Sequence, residues 1–223
     1  MTEAGSGDAM IVVMDYGGVL GDDHQEPAER ELASAIGVSR ETCCALTSEN
    51  SAQGAAFRED RVSEGQFWDW VFDLAGGDVQ KRPPNEVLTR MWSETYAVNE
   101  GVLEILRAVR GRCPVGVLTN IDRGRSAYLV EKVGLLSEVD IYMPSYRYGA
   151  VKPKAELWEA ANADIRRRFG KSARVLYIDD RGKHVGACAM IGWEGLLYVG
   201  VEALVRELIG RGLMGRDGEF AND

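Results

Sequence analysis

Apolar residues fall into two patterns along this chain. Five short runs, Met10–Met14, Pro114–Leu118, Asp140–Met143, Arg174–Ile178 and Gly195–Val199, read as buried strands. Between the later runs, apolar positions recur at helical spacing over Glu100–Val109, Arg123–Val133, Lys154–Phe169, Lys183–Met190 and Val201–Ile209. This alternation predicts an α/β fold, a Rossmann-like parallel sheet with helices on both faces. The first run stands apart. The stretch from Gly21 to Asn99 shows no convincing strand and has helical spacing over Glu26–Ile36, Arg40–Ser48, Ser63–Leu74 and Asn85–Thr95. Ser39 suits the cap of the second of these helices, Ser63 opens the third, and Pro83-Pro84 breaks the chain before the fourth. The expected layout is a core of residues 8–21 and 97–213, an inserted α-helical cap of residues 22–96, and flexible tails at 1–7 and 214–223. A cap inserted there lies over the carboxyl end of the first strand, the edge where such sheets bind ligands.

Composition narrows the partners. The 223 residues are 45% hydrophobic and 27% charged, as in globular proteins that fold in water. Lys and Arg total 26 against 35 Asp and Glu, a formal net charge of −9. That balance argues against nucleic acid or an anionic membrane as the main partner. An anionic substrate would need a locally positive pocket or a metal ion. The four cysteines, Cys43, Cys44, Cys113 and Cys188, form no zinc-type pair and read as small buried apolar groups. The opening MTEAGSGDA lacks the pattern of a signal peptide, and no apolar run reaches the length of a membrane span. A cytoplasmic location is expected; the sequence leaves the oligomeric state open.

The polar residues of interest cluster at strand ends. The first strand ends in Asp15, followed by a turn through Gly17 and Gly18. A buried strand that delivers one acid to its edge is costly unless the acid has a partner. The second ends in Thr119 and Asn120, Lys152 precedes Pro153 after the third, and the fourth ends in Asp179 and Asp180. Taken singly, Thr-Asn is a cap or turn, Lys-Pro is surface and Asp-Asp-Arg-Gly is a turn. In strand order they converge on one sheet edge.

Together these segments resemble the haloacid-dehalogenase-like (HAD) hydrolase superfamily. DYGGVL resembles its first motif, LTN its second, the Lys152-Pro153 segment its third and IDD its fourth. The helical insertion is similar to the small α-helical cap. The D-x-G-x-V/L opening is similar to a branch that includes sugar-1-phosphate phosphatases and the phosphatase domain attached to soluble epoxide hydrolases. The resemblance implies a Mg²⁺-dependent phosphatase acting on a small phosphorylated metabolite, such as a sugar phosphate. It casts Asp15 as the nucleophile that forms an aspartyl-phosphate. Asp15, the Gly17 carbonyl and Asp180 would hold Mg²⁺, with Asp179 in the outer shell or orienting Lys152. Lys152 would neutralise charge. Thr119 and main-chain N–H groups near Gly18 and Asn120 would bind phosphoryl oxygens.

Two positions depart from the family pattern. A second aspartate is usual two residues after the nucleophile, where this chain has Gly17. Either another group, such as His24 or the Asp22-Asp23 pair, transfers the proton, or the substrate has a good leaving group. A third possibility is a phosphate-binding or scaffolding protein with little turnover. His184 replaces a frequent asparagine, as either a site residue or a surface helix start. A haloacid dehalogenase, in which Asp15 attacks carbon without a metal, is a further alternative; the Asp179-Asp180 pair counts against it. Arg58 and Arg61 at a cap turn, and Arg166–Arg168, read as solvated. Trp68 and Trp70 read as cap packing or as the wall of the entrance.

Overall fold

The first strand, β1 (Met10–Met14), must be covered on both faces. Ile11 and Val13 point to one side, Val12 and Met14 to the other, and all four are fully buried. Strands of this kind pair in parallel under two helical layers. A computed structural model describes residues 9–22, 26–76 and 82–215 and has that architecture. A two-residue strand, β2 (Gly21–Asp22), follows β1. Five helices come next: α1 (Glu26–Ile36), α2 (Arg40–Thr47), α3 (Ala52–Arg58), α4 (Glu64–Ala75) and α5 (Asn85–Glu94). After β3 (Ala97–Val98) come α6 (Glu100–Arg110), β4 (Val115–Thr119), α7 (Arg123–Glu131), α8 (Leu135–Glu138) and β5 (Ile141–Pro144). The chain continues through α9 (Ala155–Phe169), β6 (Arg174–Asp179), α10 (Gly182–Ala187), β7 (Glu194–Leu197) and α11 (Val201–Gly210).

The main sheet has the order β5-β4-β1-β6-β7 and every pairing is parallel. Val12 sits opposite Val115 on one side and Leu176 on the other. Strand order reverses at β1, so the crevice at its carboxyl end is the place for a ligand. One face packs Val102, Leu106, Leu204 and Leu208 from α6 and α11. The other packs Leu157, Trp158 and Ile165 from α9, with Trp158 edge-on to Tyr177 at 5.0 Å between ring centres.

Helices α1–α5 have a core of their own, built on Leu32, Phe57, Phe67, Trp68, Leu88 and Trp92. In α4, Phe67, Trp68, Val71 and Phe72 share the buried face; Ser63 and Gln66 close a capping box at its start, and Gly76 ends it in the left-handed region at φ 66°. Trp68 is therefore cap core, Trp70 points to solvent, and neither lines the site cavity described below. The two chain connections of this insertion run side by side as the antiparallel pair β2–β3.

Several elements differ from the sequence reading. β2 and β3 are too short to leave a two-residue period, and α3 and α8 are single short segments without a clear stripe. The helix expected to Met190 stops at Ala187 and continues as a 3₁₀ turn to Ile191. Met214, expected in the tail, packs into the core beside Leu213. Residues 1–7 and 216–223 lie outside the described residues. The four cysteines are free thiols. Among the described residues, no helix is long and apolar enough to cross a membrane.

Asp122 ties the insertion to the core. It is fully buried, caps α7 through the Arg125 N–H at 2.9 Å, and accepts from Trp92 Nε1 at 3.1 Å. Asp122→Ala removes the cap and strands a buried indole N–H, so urea unfolding is expected to show a loss of about 2–4 kcal/mol. An unchanged midpoint would contradict this role.

Candidate active site

Asp15 leaves the end of β1 and the chain turns at once. The Tyr16 N–H donates to Asp15 Oδ1 at 2.7 Å, and the Gly21 N–H closes the turn on the Tyr16 carbonyl at 2.6 Å. Gly21 is required because a Cβ there would lie 2.1 Å from the buried Tyr16 ring. Gly18 has φ +73°, and a Cβ would lie 2.7 Å from Asp180 Oδ2. The Gly18 N–H donates to the Gly21 carbonyl at 2.9 Å. Its hydrogen is engaged in the turn. What Gly18 supplies is close approach to the Asp180 carboxylate.

The ammonium of Lys152 bridges two acids. Nζ lies 2.8 Å from Asp15 Oδ2 and 2.9 Å from Asp179 Oδ2, and it also donates to the Leu118 carbonyl at 3.2 Å. Lys152 and Tyr177 Oη are 2.8 Å apart, and the Tyr177 hydroxyl donates to Asp179. Asp179 is fully buried and also accepts from the Arg181 N–H at 2.8 Å, with His184 Nδ1 at 3.0 Å. Of its two expected roles, this geometry matches orienting Lys152. Asn120 pins the Lys152 backbone from both ends, accepting from its N–H at 2.7 Å and donating to its carbonyl at 3.2 Å. Its amide also donates to Glu49 Oε2 at 2.8 Å, and Glu49 pairs with Arg181.

The charges explain the titration. Burial is the largest influence on Asp15; with Asp179 nearby it outweighs Lys152 and pushes the carboxyl up to about 8. Burial also opposes the Asp179 charge, but Lys152 and His184 outweigh it and hold that carboxyl well below its ordinary range. Burial works against the Lys152 charge too, yet the two acids keep its pKa above the ordinary lysine value. Asp179 has the larger set of donors and remains the ionised partner. With both acids ionised, the pair and one ammonium leave one negative charge in excess.

That excess bears on a metal ion. Asp15 and Gly17 border one cavity, and the Asp180 carboxylate packs against Gly18, the residue after Gly17. Two carboxylates and a main-chain carbonyl are donors suited to a hard divalent cation. These residues fit Mg²⁺. Asp15, Asp179 and His184 also bring ligand atoms within 4.8 Å of one another, but the Lys152 ammonium already bridges the two acids there.

The cavity, about 460 Å³, lies between the sheet edge and helices α1–α3 and α5. Asp15, Gly17, Thr119 and Asn120 border it on the core side, as sequence order suggested. Lys152 and Asp179 lie behind Asp15, and Asp180 is exposed. His24 and Asp23 lie outside the described residues. His184 is buried rather than a surface helix start. Arg58, read as solvated, is only 5% exposed and borders the cavity, whereas Arg61 is exposed. Glu49, Trp92, Arg125 and Arg181 also border it and were not foreseen. Tyr177 was within reach: it lies two residues before Asp179 and shares its strand face. Glu49 carried no signal, since its partners are distant in sequence.

A doubly covered parallel sheet with a helical insertion over its carboxyl edge is a fold shared with solved HAD-family enzymes. No family model matches the chain. It is 25% identical over 109 residues to pyrimidine 5'-nucleotidase YjjG of Escherichia coli K12, a match that spans 49% of this chain and 47% of the nucleotidase. The chain thus matches about half the length of that relative. A HAD-family enzyme of Bacteroides thetaiotaomicron superposes with a TM-score of 0.68 at 15% identity, covering 86% of this chain and 94% of its own. That enzyme is also known in complex with magnesium and inorganic phosphate. A HAD-like hydrolase of Porphyromonas gingivalis gives 0.69 at 16% identity, covering 91% and 98%. L-2-haloacid dehalogenase of Xanthobacter autotrophicus gives 0.61 at 18%, covering 96% and 86%.

The raised Asp15 pKa fixes a pH dependence for metal-free protein. A carboxyl raised on folding contributes its full stability below the unfolded pKa and loses it as pH rises through about 8. Metal-free Asp15→Asn is therefore expected to melt about 5 °C above wild type near pH 9, with the gap narrowing as pH falls below about 8 and closing only towards about pH 4. Calorimetry checks this; a gap independent of pH would contradict it.

Proposed function

We propose that this chain is a Mg²⁺-dependent phosphatase that acts in the cytoplasm on a small phosphorylated metabolite, through an aspartyl-phosphate on Asp15. The observation that carries the reading is the Asp15–Lys152–Asp179 cluster behind the cavity at the carboxyl edge of β1. The likeness to YjjG, named a pyrimidine 5'-nucleotidase, and to an enzyme solved with magnesium and phosphate supports it.

An oxygen of Asp15 attacks phosphorus, and the bond from phosphorus to the leaving oxygen breaks with its electron pair going to that oxygen. Lys152 holds the attacking carboxylate and offsets phosphoryl charge from a fixed position. Asp179, Tyr177 and Asn120 hold Lys152. The Thr119 hydroxyl and the Asn120 main-chain N–H bind phosphoryl oxygens. Asp15, the Gly17 carbonyl and Asp180 would hold Mg²⁺, which would supply the positive charge that lets a carboxylate meet a phosphoryl group. Water then attacks phosphorus of the aspartyl-phosphate, releasing phosphate and restoring Asp15.

Gly17 has no proton to give the leaving oxygen, so the reaction favours leaving groups that depart as weak bases. Phosphate release from p-nitrophenyl phosphate is expected to require Mg²⁺, to vanish in Asp15→Asn and to fall about 10²–10³-fold in Lys152→Met. Release that survives Asp15→Asn would overturn the reading, and chloride release from 2-chloropropionate without metal would replace it with dehalogenation. Gly17→Asp should raise kcat for alkyl phosphates by up to about 10²-fold while changing p-nitrophenyl phosphate little. An equal change on both would refute the role assigned to Gly17.

A further inference from the structure

The cations bordering the cavity are not equivalent. Arg40 pairs with Glu29 at 2.8 Å, and Arg181 pairs with Glu49. Arg125 lies between rings, 3.2 Å from the centre of Trp92 and 3.8 Å from that of Tyr96. Arg58 differs. It is 5% exposed, and among the described residues no carboxylate lies within 4.0 Å of its guanidinium. Among the described residues its two side-chain hydrogen bonds both come from Nη1, to the carbonyls of Thr47 at 3.1 Å and Gly54 at 3.0 Å. These bonds fix the plane of the group, and among the described residues neither Nε nor Nη2 has an acceptor within hydrogen-bond distance. Trp92 lies 5.7 Å from it and borders the same space.

A buried cation with no carboxylate in direct contact, met only at longer range by Glu49, is costly to the fold unless something else offsets it. An Nε–Nη2 edge presents two parallel N–H groups, the fork that a carboxylate accepts with both oxygens. One guanidinium also balances one carboxylate charge, whereas a phosphate dianion would leave charge over. We infer that Arg58 binds a carboxylate at the end of the substrate away from its phosphoryl group, so the substrate class is a small phosphorylated hydroxy acid. The inference rests on the phosphatase reading for the placement of the phosphoryl group at Asp15.

Binding separates the two claims. Calorimetric titration of Asp15→Asn protein with Mg²⁺ compares matched ligands of two lengths. These are 3-phosphoglycerate against glycerol 3-phosphate, and 6-phosphogluconate against sorbitol 6-phosphate. At least one carboxylate ligand is expected to bind tenfold or more tightly than its alcohol partner. Arg58→Met should collapse that ratio towards one, while Arg58→Lys, which keeps charge but not the fork, should recover only part of it. Equal affinities within both pairs, or a ratio that survives Arg58→Met, would overturn the inference. Should Arg58→Met fail to fold, the wild-type ratios and Arg58→Lys still decide. Absence of p-nitrophenyl phosphate hydrolysis by the wild type, with the ratio intact, would instead remove the phosphatase reading and leave a carboxylate site.

Discussion

The ammonium of Lys152, buried between Asp15 and Asp179, sets the terms for everything around it. Removing one member of such a buried pair costs about 3–5 kcal/mol because the remaining charge has no partner. The surrounding residues keep this arrangement in one geometry. Asn120 clasps the Lys152 backbone, the Leu118 carbonyl and Tyr177 hydroxyl contact its head group, and Asp179 is in turn held by Arg181 and His184. Asp15 takes the smaller share of donors. It is left as the acid whose charge is incompletely offset, at the one place in the cluster that opens on a cavity.

The same residues join the helical insertion to the sheet. Glu49, just past α2, reaches both Asn120 and Arg181, and burial of its charge is outweighed chiefly by Arg181, so its pKa stays below the ordinary value. The Arg58 carbonyl accepts from the buried Ser145 hydroxyl at 2.7 Å, and the Asp60 carboxylate accepts from Nε and Nη2 of Arg123, both at 2.6 Å. The exposed pair adds little, while the buried bonds fix the insertion over the sheet edge. Cap position and nucleophile position are therefore coupled through Asn120.

Much of this was legible in the sequence. Four of the five strands stood out as apolar runs because a parallel strand covered on both faces leaves no polar alternation to confuse the reading, whereas the edge strand β7 is only partly covered. The order Asp15, Thr119, Lys152, Asp179 at strand ends pointed to one sheet edge before any coordinates. Local spacing carried nothing about pairs far apart in sequence. Glu49 meets Asn120 and Arg181 across the fold, and Arg58 looks like a solvated turn arginine until α2, α3 and α5 close around it. Only the turn geometry shows that the Gly18 N–H meets the Gly21 carbonyl. Asp180 and Asp179 look alike in sequence, yet one is exposed beside Gly18 and the other is sealed behind Lys152.

The central claim is that Asp15 takes up the phosphoryl group. Acid-quenched protein mixed with Mg²⁺ and p-nitrophenyl phosphate, digested and weighed peptide by peptide, tests it directly. The account predicts a phosphoryl increment on the peptide that contains Asp15, formed within one turnover and absent when Mg²⁺ is chelated. Hydrolysis that proceeds with no increment on that peptide, or with the increment on another residue, would contradict it.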